Sequence, residues 1–136
     1  MSRISGPILD RIDLCVELHP VEISNLNSAK RAECSADIRE RVMKAREIQK
    51  QRFCGTKKQF NGDMDTTDIE RYCVLGEEEK KYMEQLYSSL GLSARAYHRI
   101  LKVSRTIADL AGEERIGMEH LTEAVCYRAS QEVWGA

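Results

Sequence analysis

No apolar run in this chain approaches the ~20 residues needed to cross a bilayer. The opening Met-Ser-Arg-Ile-Ser-Gly-Pro lacks the apolar centre of a secretory signal, so the expected location is cytoplasmic. Excess charge of either sign is missing too: 21 Lys plus Arg stand against 22 Asp plus Glu, a formal net charge of −1. No overall field draws the chain to nucleic acid or an anionic membrane, and any basic site must be local. Cysteine pairs are absent. Cys15, Cys34, Cys54, Cys73 and Cys126 are odd in number and scattered, with no Cys-x-x-Cys. They read as reduced thiols buried as small hydrophobes, not as a disulfide framework or a zinc site. Neither a Gly-x-x-x-x-Gly-Lys-Ser/Thr loop nor a Gly-x-Gly-x-x-Gly turn is present, so neither standard cradle for nucleotide phosphates exists here. His19, His98 and His120 form no His-Glu-x-x-His pair, and nothing suggests a zinc hydrolase or a Ser-His-Asp enzyme.

What is present fits one soluble domain: 136 residues, 42% hydrophobic and 32% charged. Ile12, Leu14, Val16 and Leu18 alternate with Asp13, Cys15, Glu17 and His19, the period of a half-buried strand ending at Pro20. A single strand cannot satisfy its own backbone, so its partners are expected outside this chain and its start resembles the torn edge of a larger domain. Residues 21–33 form a polar connector. Ser35 then caps a helix to about Phe53, with Ile38, Val42, Ala45, Ile48 and Phe53 near one side. Gly55 and Asn61-Gly62 mark a loop, and Thr66 or Thr67 caps a short helix through Cys73. Glu77-Glu78-Glu79 opens the next helix after Gly76, and Gly91 ends it in a left-handed cap.

The stretch LSARAYHRILKVSRTIADLAG, residues 92–112, is the clearest helix. Ser93 is its cap, and Leu92 with Tyr97 has the spacing of a hydrophobic staple. At ~100° per residue, Tyr97, Ile100, Leu101, Ser104, Ile107, Ala108 and Ala111 form one stripe, opposite Arg95, Arg99, Lys102, Thr106 and Asp109. Gly112 stops this helix, and a last one carries Met118, Leu121, Val125 and Ala129 up to about Val133. The expectation from Ser35 onward is a mainly α fold, a small bundle of about four helices, one of them short.

Two arginines raise a question of chemistry. Arg95 sits in a first turn, where its positive charge meets the positive end of the helix dipole; with the first-turn amides it makes a possible anion site. Arg11, flanked by Asp10 and Asp13, could reach a phosphate on a neighbouring molecule. An ordinary solvated side chain or surface ion pair is the plainer alternative for each. Arg99 and Lys102 read as a solvated face, and Lys57-Lys58 with Phe60 as a flexible loop weakly suggestive of nucleic acid.

Ser5-Gly6-Pro7-Ile8-Leu9-Asp10-Arg11-Ile12-Asp13-Leu14, followed by Leu92-Ser93-Ala94-Arg95-Ala96-Tyr97-His98-Arg99-Ile100-Leu101-Lys102-Val103, closely resembles the C-terminal part of the magnesium-chelatase-like AAA+ ATPases of the ComM/YifB type. The Arg41 to Gln49 segment, the Asn61 region and His120 to Arg128 fit the same pattern in order, so the likeness spans almost the whole chain. Ile8 stands where leucine is usual. The resemblance implies that residues 1–22 are a remnant of the ATPase base and residues 23–136 the α-helical lid. It implies that Arg11 is the arginine finger acting in trans and Arg95 the second sensor, reading the γ-phosphate. Walker A, Walker B and the first sensor would precede Met1, leaving the fragment inactive alone and needing no cofactor, with ATP and Mg in the intact parent. Implied partners are the base domain, neighbouring subunits of a hexameric ring and, through the parent, DNA undergoing branch migration; no membrane is involved. The alternative is a self-contained helical module that binds nucleic acid or protein through the Arg95, Arg99, Lys102 stripe.

Overall fold

A computed structural model of the chain describes residues 11–20 and 33–135, with side chains in the last helix described up to Arg128. The Ser5 to Asp10 half of the first motif, the connector at residues 21–32 and the Ala129 side chain lie outside the described residues. The described residues contain five α-helices: α1 Ser35–Arg52, α2 Thr66–Tyr72, α3 Glu77–Ser89, α4 Ala94–Ala111 and α5 Met118–Gly135. A 3-10 turn, Asn61–Asp63, lies between the first two. The mainly α expectation holds. The count is five where about four was expected: each of the five helical stretches read from the sequence is a separate element, including short α2, opened by its own capping box and closed at Cys73.

Local chemistry starts and stops these helices. Asp65, not Thr66 or Thr67, caps α2: its carboxylate accepts from the Asp68 amide at 3.0 Å while Asp68 accepts from the Asp65 amide at 3.2 Å. Ser93 caps α4 as expected, accepting from the Ala96 amide at 3.2 Å. Gly112, at φ 75°, closes α4 in a Schellman motif, with the Glu113 amide on the Ala108 carbonyl at 2.8 Å. Ser35 is the first residue of α1 and Cys34 occupies its cap.

α4 is the axis of the bundle, packed against α1, α2, α5 and the 3-10 turn, while α3 packs on α5. Ile100, Leu101, Ser104 and Ala108 of α4 are buried with Met64, Ile69, Cys73, Met83, Ile116, Leu121 and Ala124. Three sequence expectations change. α1 is packed only toward its C-terminal end, through Ala45, Gln49 and Phe53, whereas Ile38 and Val42 are exposed because none of the described elements covers its first turns. Only Cys73 of the five cysteines is buried; Cys34, Cys54 and Cys126 are exposed and Cys15 is half-buried. Finally, the half-burial expected of residues 12–18 is absent: Leu14, Val16 and Leu18 are exposed and no ladder forms among the described residues, the partners of the expected strand having been placed outside this chain.

Candidate functional site

The polar side of α4 divides into two parts that periodicity alone treats as one. Asp109, assigned by spacing to the solvated stripe with Arg95, is buried, as is Arg105. Asp109 accepts from Arg52 Nη2 at 2.6 Å and Nη1 at 2.7 Å, from Asn61 Nδ2 at 2.8 Å and from Arg105 Nε at 3.0 Å. Arg105 also donates to the carbonyls of Glu113 and Glu114, while Asn61 accepts from Arg52 Nη1 through its Oδ1 at 2.7 Å and donates its backbone N–H to Gln49 Oε1 at 3.1 Å. This network fastens the end of α1, the 3-10 turn and the loop after α4 onto one helical turn. Ala111, placed by spacing on the apolar stripe, is exposed as the last residue of the helix.

Along most of its length, from Ala94 to Leu110, α4 forms the wall of a groove of about 880 Å³. Arg95, His98, Arg99 and Lys102 line it, facing Gly62 to Thr66 at the entry to α2, with Asp13 and Leu14 at one edge and Tyr127 of α5 at another. Two of its three cations are committed. Lys102 Nζ donates to the Gly62 carbonyl at 3.0 Å, and Arg99 Nε pairs with Asp13 Oδ1 at 3.1 Å. Arg95 is exposed and makes no ion pair among the described residues. It stands beside the first-turn amides of α4, which have no acceptor within the helix. The combination is an anion-receptive corner: an exposed guanidinium, the Ala94 and Arg95 amides left over once Ser93 has capped that of Ala96, and the positive end of a dipole.

Arg11 is exposed and does not line this groove, but its neighbours Ile12 and Asp13 rest on α4. The two sequence motifs, some eighty residues apart, therefore meet through Asp13 and Arg99, a contact that linear spacing gave no means of finding. The lysine loop is not loose. Lys58 Nζ pairs with Asp65 at 2.5 Å and with Asp68, and these hydrogen bonds hold the Lys58 ammonium above and the Asp65 carboxyl below their ordinary ranges. The Asp63 carboxylate accepts the Gln59 and Phe60 amides at 3.0 Å each, which lowers its pKa, and Arg46 lies 4.1 Å above the Phe60 ring. Lys58 and Phe60 thus hold the loop to the bundle.

His120 acts structurally, its Nδ1 accepting from the Gly117 amide at 2.9 Å at the start of α5. Among the described residues no group of three or more His, Cys, Asp or Glu is placed to hold a metal ion, and no helix is long and apolar enough to cross a membrane.

The described residues thus form a helical bundle organised on one capped helix, with Arg95 exposed at that helix's start. The chain belongs to the family described as magnesium chelatase, subunit ChlI C-terminal, which matches residues 32–128. It is 48% identical to competence protein ComM of Haemophilus influenzae over 130 residues, covering 95% of this chain and 25% of that protein. It is 42% identical over 131 residues to the uncharacterized protein YifB of Salmonella typhimurium, with the same shares covered. It is 30% identical over 128 residues to an uncharacterized protein of Mycobacterium tuberculosis. The chain is thus the C-terminal, lid-type region of a ComM-like protein, spanning about a quarter of the length of these relatives.

Proposed function

We propose that this chain is the nucleotide-sensing lid of an AAA+ ATPase that assembles as a hexamer and works on DNA, with branch migration as the class of reaction. The observation that carries the reading is the state of Arg95, uncommitted among the described residues at the start of a capped helix whose other cations are held. A γ-phosphate fits this corner: a guanidinium and oriented amides match three anionic oxygens, and the attraction ends when the phosphate leaves. Arg95 in this reading binds and reports the γ-phosphate of ATP.

Arg11 acts on the neighbouring subunit's nucleotide. Its exposure supports the role, since a guanidinium delivered in trans must project from its own subunit. Charge on the transferring phosphoryl group is neutralised there, an effect worth roughly 10³ to 10⁵ in rate in related phosphoryl-transfer enzymes. Magnesium in this reading is held by the base domain.

The test is ATP hydrolysis by the full-length protein carrying this region. Arg11→Ala is expected to lower kcat by about 10³ or more. Arg95→Ala should remove the ability to distinguish ATP from ADP along with most of the turnover, and the 136-residue chain alone should hydrolyse no ATP. Normal turnover after both substitutions would refute these roles and leave the fold assignment standing.

A further inference from the structure

The contact between Arg99 and Asp13 lies between the two arginines just discussed. Arg99 is mostly buried, its side chain 17% exposed, although spacing had placed it on a solvated face. Its Nε meets Asp13 Oδ1 at 3.1 Å and its Nη1 donates to the Ile12 carbonyl at 3.4 Å. Two residues further along, the Cys15 amide donates to the Tyr127 carbonyl of α5 at 3.0 Å. Ile12 sits over Ala96, Ile100, Val103 and Ala124, with a residual void of only about 10 Å³. The segment around residues 12–15 is therefore seated on α4 and α5 through side-chain, backbone and apolar contacts together.

The reach of the chain limits where both arginines can be. Arg11 is two residues from Asp13, at most ~7 Å along an extended backbone. Arg95 is four residues from Arg99, ~6 Å along the helix and on the same face. One clamp thus lies within about one helical turn of each.

We propose that Arg99 is a positioning residue: by holding Asp13 and the Ile12 carbonyl on α4, it makes the Arg11 segment and the Arg95 turn one rigid body. Motion of α4 in response to a phosphate at Arg95 then carries Arg11 with it, coupling nucleotide state in one site to the arginine offered to the next. This rests on the roles of Arg11 and Arg95 given under the proposed function.

Two readouts test it. In the 136-residue chain, hydrogen exchange of the Cys15 amide, followed by NMR, should accelerate at least tenfold in Arg99→Ala and in Asp13→Ala, while the buried amides of α4 keep their protection. The charge-swapped pair, Arg99→Asp with Asp13→Arg, should restore slow exchange. In the full-length ATPase, Asp13→Ala and Arg99→Ala should lower kcat by about 10- to 100-fold through misplacement of Arg11. KM for ATP should not change, and the charge-swapped pair should recover most of the rate. Because Asp13 is largely exposed, Asp13→Ala keeps the test meaningful even if Arg99→Ala fails to fold. Unchanged Cys15 exchange, a loss confined to KM, or no rescue by the swapped pair would overturn the proposal. Arg11→Ala measured in parallel separates the two readings: a large loss there with wild-type rates for Asp13→Ala and Arg99→Ala defeats the coupling alone. Wild-type rates in Arg11→Ala defeat the functional reading beneath it.

Discussion

Replacing Asp109 by alanine should be the most damaging single polar change in this bundle. Its carboxylate is fully buried and is held by the Asn61 amide and by the guanidiniums of Arg52 and Arg105, whose side chains are only 11% and 3% exposed. Truncation leaves two buried cations facing one another without a counter-charge, and removing one partner of a buried ion pair costs about 3–5 kcal/mol. With an unfolding entropy of ~2.1 cal/mol/K per residue, 136 residues give ~0.29 kcal/mol/K. The expected drop in Tm is therefore roughly 10–17 °C, read by calorimetry at neutral pH. Glu40→Ala removes an exposed pair with Lys44 and should shift Tm by no more than about 2 °C. Arg52→Met should cost less in the Asp109→Ala background than in the native chain, because it relieves the repulsion that the first change created. A loss below ~1 kcal/mol for Asp109→Ala would refute the claim that this network joins α1 and the 3-10 turn to α4.

Ser93→Ala should destabilise the chain by about 1 kcal/mol in urea unfolding, since the cap on the Ala96 amide is lost, and Ser93→Gly by only a few tenths. Burial pushes the Cys73 thiol up to about 11, so alkylation at pH 8 should modify Cys34, Cys54 and Cys126 and spare Cys73 until the chain unfolds. Its stability contribution is full below pH 9, the unfolded value, and falls as pH rises toward about 11; Cys73→Ala should flatten that alkaline slope. Asp63 and Asp65 have lowered pKa values, from backbone amides in the first case and chiefly from Lys58 in the second. The stability they supply is present above pH 3.8 and is lost as pH falls below it, so Asp63→Asn and Asp65→Asn should reduce the acid dependence of Tm.

Some of this molecule was determined by local sequence alone. Ser93 and Gly112 at the two ends of α4, the acids after Gly76 and the 3.6-residue spacing of Ile100, Leu101, Ser104 and Ala108 act within a few residues of one another. Short-range physics of this kind is written in order along the chain, which is why the helices and the position of Arg95 were legible. The exposed first turns of α1 and the unladdered residues 12–18 were not, because amphipathic spacing shows which face could be buried and not whether a partner is there to bury it. Asp109 was misassigned for the same reason. Period places it beside Arg95, but only packing brings Arg52 from 57 residues away to make its burial tolerable. The meeting of Asp13 with Arg99 likewise depends on two segments distant in sequence. The corner at Arg95 is thus a property of one helix terminus, whereas its connection to Arg11 exists only once the bundle has closed.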